Sequence, residues 1–164
     1  MKKTLMTVIV MVSSAFLFAR TGIGIQGGAK IDMGIDHVEG MSIRSDRSPW
    51  GISLDCNFKD KSADLILDDW WIVKRLSNNV NLYTLWGMSF GARLENTWYG
   101  ETGPRLGAGI DVFLFKSRRL EFFAQAAWNP SIGANWDGEE DELSLRFRPA
   151  CFPVNGGIRL WFGN

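Results

Sequence analysis

Histidine is almost absent from this chain: His37 is alone among 164 residues. Cysteine occurs twice, as Cys56 and Cys151, and neither sits at the spacing of a metal ligand set. An excess of either charge is missing too, with 18 basic side chains against 18 acidic ones. Each shortage removes a class of function. A nucleic-acid binder carries a basic face or stripe, which a balanced chain does not supply. A solvated acidic tail needs a run of like charge. Nothing calls for a cofactor. "GIGIQGG" at 22–28 has closely spaced glycines, but it opens no helix, so a phosphate cradle does not fit.

Long hydrophobic runs are also missing. Lys2 and Lys3 precede an apolar stretch broken by Ser13 and Ser14, and Ala19 follows as a cleavage residue. The stretch is shorter than the ~20 residues of a spanning helix, so 1–19 reads as a secretory signal and 20–164 as one domain. Export would place the two cysteines in an oxidising compartment, where they either pair or serve as small apolar side chains. Beyond residue 19 no segment repeats its apolar residues every 3.6 positions.

What is plentiful is glycine (18), phenylalanine (11) and tryptophan (8), set in a rhythm of two. From 23 to 35 the odd positions carry Ile23, Ile25, Ile31, Met33 and Ile35, and the even ones carry glycine, Gln26, Lys30 and Asp32. The rhythm returns at 50–58, 80–94, 105–114 and 120–129. It is weaker at 62–74, where Asp68 and Asp69 interrupt it and suggest a bulge, and at 142–149. The closing run sets Ile158, Leu160 and Phe162 against Arg159 and Trp161. These segments predict an all-β fold of roughly eight strands. Residues 36–49 read as a long loop, 95–103 as a medium one, 116–119 as a basic turn and 137–141 as an acidic loop tip.

Alternation alone fits a soluble barrel with an apolar interior and a membrane barrel with the reverse. Strand length favours the second, since several runs reach the ~9–11 residues that cross lipid. So does the polar face, which mixes glycine with charges of both signs: Lys30, Asp32, Asp55, Arg93, Arg105, Asp111, Glu121, Arg146, Arg148 and Arg159. Paired charges and small residues would fill a narrow eight-stranded lumen. Trp50, Trp71, Trp86, Trp98 and Trp128 fall mostly near strand ends, as an interfacial aromatic belt would. The expectation is therefore a roughly eight-stranded antiparallel transmembrane β-barrel in the cell outer membrane, with lipid as its first partner. The alternatives are a soluble lipocalin-like ligand-binding barrel and a lipid-modifying barrel enzyme. The enzyme would need His37 beside Ser42, Ser45 or Ser48 and an acid such as Asp36, Glu39 or Asp46. These crowd into one predicted loop, and no catalytic residue is assigned.

The terminal segment "NGGIRLWF" places Asn155, Gly157, Leu160 and Phe162 at the offsets of a polar residue, a glycine and two apolar residues. It resembles the C-terminal signal strand of outer-membrane barrels, which implies barrel-assembly machinery as a partner. "GARLENTWYGETGPRLGAGIDVFLF", "RRLEFFAQAAWNP" and "NGGIRLWF" together resemble a family of small spirochaetal outer-membrane β-barrels. The resemblance implies a surface-exposed barrel, structural or adhesive, whose loops contact host or extracellular proteins. It also implies one more strand where this chain has only "KDKSAD".

Overall fold

The computed structural model describes residues 20–32, 34–94, 98–115, 117–137 and 142–163. The segment 1–19, read above as a signal, lies outside them, as do Lys116 and residues 138–141. Ten β-segments are formed: β1 (Thr21–Ile31), β2 (Ile35–Ser45), β3 (Trp50–Asn57), β4 (Ser62–Arg75), β5 (Val80–Leu94), β6 (Trp98–Leu114), β7 (Leu120–Trp128), β8 (Ser131–Asp137), β9 (Glu142–Arg148) and β10 (Phe152–Phe162). They make one sheet in the order β5-β4-β3-β2-β1-β10-β7-β6-β8-β9, and a further β5–β6 pairing closes it.

Ten segments make eight staves. β7 and β8 pair with β6 in a single register, Leu106 opposite Trp128 and Thr102 opposite Ile132, so they are one strand interrupted at 129–130. β9 and β10 are likewise one strand with an insertion. Between the pairs Ala126–Val154 and Ser131–Arg148, five residue steps on one side face six on the other. The extra residue falls at 149–151, beside Pro149, which has no N–H to give a ladder. Following paired neighbours from Ile158 through Ile25, Met41, Leu54, Leu65, Phe90, Thr102 and Ile132 ends at Phe147, eleven residues back along the same stave. That stagger tilts the strands and closes the cylinder. The fold is thus all-β, a closed eight-strand antiparallel barrel. At its lower end β1 begins and β10 ends, and β2 is followed by β3, β4 by β5 and β6 by β7; at its upper end β1 is followed by β2, β3 by β4, β5 by β6 and β8 by β9.

The count of eight agrees with the sequence, but its composition does not. The predicted loop 36–49 is mostly strand β2, and the first strand stops at Ile31 rather than Ile35. β6 begins at Trp98, inside the predicted loop 95–103, and β8 had no forecast. The segments 142–149 and 152–162, taken as two strands, are parts of one stave. The predicted irregularity in β4 is real and lies between Trp70 and Ile72, just past the two aspartates.

Side chains alternate as expected, and the direction is inverted relative to a water-soluble core. Ile31, Leu54, Ile110 and Phe122 face outward at 36–47% exposure, whereas Asp55 and Asp111 are 1% exposed. Among the described residues, 18 buried side chains are polar or charged and only 10 are hydrophobic. Trp50, Trp71, Trp86 and Trp128 are outward and exposed, though Trp86 sits in mid-strand rather than at an end. The Trp98 side chain is outside the described set. Cys56 and Cys151 are both free thiols.

Glycine makes room for the interior. Gly109 faces Tyr83 across the β5–β6 ladder, and a Cβ there would lie 2.4 Å from the phenol ring. At Gly157 a Cβ would lie 2.7 Å from the Phe123 ring. Large inward side chains and absent ones opposite them are two halves of one packing solution.

Candidate functional site

The feature that sets this barrel apart is its lumen, a column of ion pairs running from end to end. At the lower end Arg159 Nη1 lies 2.6 Å from Glu121 Oε1, and its Nε donates to Ser42 Oγ at 3.1 Å. The other Glu121 oxygen accepts from Trp161 Nε1 at 2.5 Å, so a fully buried carboxylate has donors on both oxygens. The Arg159 guanidinium stands 3.8 Å from the centroid of Phe123, a cation–π contact. Beside it, Trp70 stacks on Tyr83 with centroids 3.4 Å apart, and Arg44 covers the other Trp70 face at 3.3 Å. Arg44 lies 3.8 Å from Asp111, which also accepts from Asn81 Nδ2 at 2.6 Å.

The middle is held by Arg105 and Asp55. Arg105 binds Asp68 with two donors, at 3.0 and 3.3 Å, in the fork geometry that suits a carboxylate. Asp55 accepts from Gln26 Nε2 at 2.5 Å and from Asn155 Nδ2 at 2.9 Å. At the upper end Lys30 pairs with Asp64, and Arg148 bridges Asp32 at 2.7 Å and Glu101 at 2.9 Å. Tyr99 Oη donates to the same Glu101 at 3.2 Å.

Of the ten charged residues placed in the lumen by their sequence parity, eight take part in this column. Arg93 lines a small upper cavity of about 20 Å³ together with Lys30, Asp64 and Glu101. That volume holds about one water molecule. Arg146 does not join: it sits on β9 opposite Gly133 and is exposed. Sequence reading missed Arg44 and Ser42, which belong to the unforeseen β2. It also missed Asp64 and Asp68, four apart on the inward face of β4, where strict alternation would have found them. A larger cavity of about 270 Å³ opens at the lower mouth, lined by Arg20, Arg44, Arg118, Asp46, Asp111 and Trp161 among others.

The C-terminal residues divide between the two faces. Leu160 and Phe162 are outward and exposed, while Asn155 points inward to Asp55 and Gly157 lies against Phe123. This strand pairs with β1 along its whole length, Thr21 opposite Phe162 and Ile31 opposite Phe152, and so forms the closing seam.

Two alternatives can be set against the geometry. A lipocalin-like pocket needs an apolar interior, and this interior is polar. A serine–histidine pair needs both groups on one face. His37 is exposed on the outside of β2, while Ser42 and Ser45 are buried on the inside and Ser48 lies past the opposite end of the strand. Among the described residues no three His, Cys, Asp or Glu side chains converge as a metal site would require. No protein-family profile, curated protein or solved structure matches the chain.

Proposed function

We propose that the chain is an integral outer-membrane β-barrel with a structural or adhesive role at the cell surface and a lumen closed by its own side chains. One observation carries this reading: the inside of the barrel is ionic and its outer wall is apolar. Fully burying a Leu, Ile or Phe is worth about 1.5–3 kcal/mol per side chain, a gain the outer wall forgoes in water and recovers in lipid. In lipid every backbone group must be satisfied internally, and a closed barrel does so. The lower end, where β1 begins and β10 ends, suits the periplasmic side. The upper hairpins then project outward, where Ile132, Leu145 and Phe147 on the β8–β9 extension offer an apolar surface to a host or extracellular protein. Asn155, Gly157, Leu160 and Phe162 are the residues the assembly machinery would read.

The test is fractionation of cells followed by gel mobility with and without heating. Recovery with the outer membrane and faster migration unheated are the expected results, and protease on intact cells should cut at 138–141. A folded chain that stays soluble without detergent would overturn the reading. Planar-bilayer recording checks the closed lumen: no large stable conductance is expected.

A further inference from the structure

Among the described residues the outer wall has two carboxylates in its apolar field, and they are treated differently. Asp69 accepts a hydrogen bond from the Trp86 indole at 3.2 Å. Glu39 makes no hydrogen bond or ion pair with any described residue, and neither does His37 two positions away on the same outward face of β2. Apolar side chains surround the pair. On β2 itself Ile35 lies beyond one end, and Met41 and Ile43 beyond the other, all exposed. On the flanking strands Ile25 and Ile31 bracket it from β1, and Leu54 and Phe58 from the β3 side. Placed in lipid as proposed above, on which this inference rests, an unpartnered carboxylate and imidazole in that position are costly and require a partner.

We propose that this wall is a contact surface between two copies of the chain, joined by reciprocal His37–Glu39 pairs. The argument is self-complementarity. The two side chains lie on a tilted strand, so one stands both higher and to one side of the other. Two copies inserted the same way are related by a two-fold axis parallel to the barrel axis, which preserves height and reverses sideways position. With that axis passing between the two residues, each His37 comes to lie directly above Glu39 of the other copy. Donor meets acceptor twice. The immediate neighbours permit close approach, since Glu39 is flanked in register by Gly27 and Cys56, with Gly156 beyond Gly27. A second copy supplies a donor for Glu39 and an acceptor for His37 from the same two positions, which is the complementarity on which the inference rests.

Cys56 supplies the readout. In a Cys151→Ser background it is the remaining thiol, one strand from Glu39 on the same outward face. The protein, folded in detergent micelles and in phosphatidylcholine vesicles, is treated with a short thiol-reactive bifunctional cross-linker. A covalent dimer is expected. His37→Glu and Glu39→His should each lower its yield at least tenfold, because like groups then face one another. The exchanged double variant, His37→Glu with Glu39→His, should restore it. The changes at 37 and 39 lie on the outer surface, and heat-modifiable mobility verifies that each variant, and the Cys151→Ser background, is folded. Folded protein in vesicles that gives no dimer, or single variants that cross-link like the parent, would overturn the inference. A chain that never enters detergent or vesicles would instead overturn the membrane reading, and this inference with it.

Discussion

The two ends of the lumen hold their charges in different surroundings. At the lower end Arg159 and Glu121 are 5% and 0% exposed, braced by Phe123 and Trp161. At the upper end Lys30, Arg148, Asp32 and Glu101 are 14–18% exposed and Asp64 is 6% exposed, and all but Asp32 border a water-sized cavity. An ion pair taken wholly out of water depends on its partner, because a lone buried charge has nothing to replace it. A pair that water still reaches can be broken cheaply. The lower cluster should therefore govern stability, while the upper one positions the rim.

The sharpest way to break this contrast is to remove one member of the lower pair. Arg159→Met leaves Glu121 in the interior with only the Trp161 donor, and a loss of about 3–5 kcal/mol is expected. The urea midpoint of the heat-modifiable band measures it. Next comes Gly109→Leu, which drives a side chain into Tyr83 and so into the aromatic stack beneath Arg44. Overpacking of this kind costs about 1–3 kcal/mol, read in the same assay. Arg148→Gln gives up two carboxylate contacts at the rim. About 1–2 kcal/mol is expected, between the exposed and buried regimes, with faster proteolysis at the upper end as a second reading. The mildest change is Lys30→Gln, which leaves Asp64, 6% exposed, facing an amide donor in place of a cation; about 1 kcal/mol is expected, between the exposed and buried regimes. Raising salt to ~1 M, where the Debye length is ~3 Å, should mimic Lys30→Gln and leave the lower pair untouched. Equal sensitivity at the two ends would erase the distinction.

Period-two alternation made the orientation of most side chains legible before any fold was known. It put Asp55, Arg105, Asp111, Glu121 and Arg159 on one face, because a strand's geometry sends successive side chains to opposite faces, and strand length together with that face's mix of glycine and charge pointed it inward, where these five are buried. It failed at β2 for a physical reason. There the outward positions include His37 and Glu39, so the apolar face is broken where the pairing is not. It failed again around Pro130 and Pro149, whose punctuation looks like a chain reversal but marks an interruption within a stave. Partner choice was not legible. That Gln26 and Asn155 both reach Asp55, or that Arg148 joins Asp32 to Glu101, depends on the stagger around the cylinder, which no single segment encodes.

The seam between Thr21 and Phe162 has a consequence for how the molecule comes into being. The opening strand of the barrel, β1, must wait for β10 before it has a neighbour on one side. Until then two raw margins of hydrogen-bonding groups stand open. Completion is thus reserved for Phe152–Phe162, and a nonsense codon early in that stretch would yield a sheet with nowhere to end.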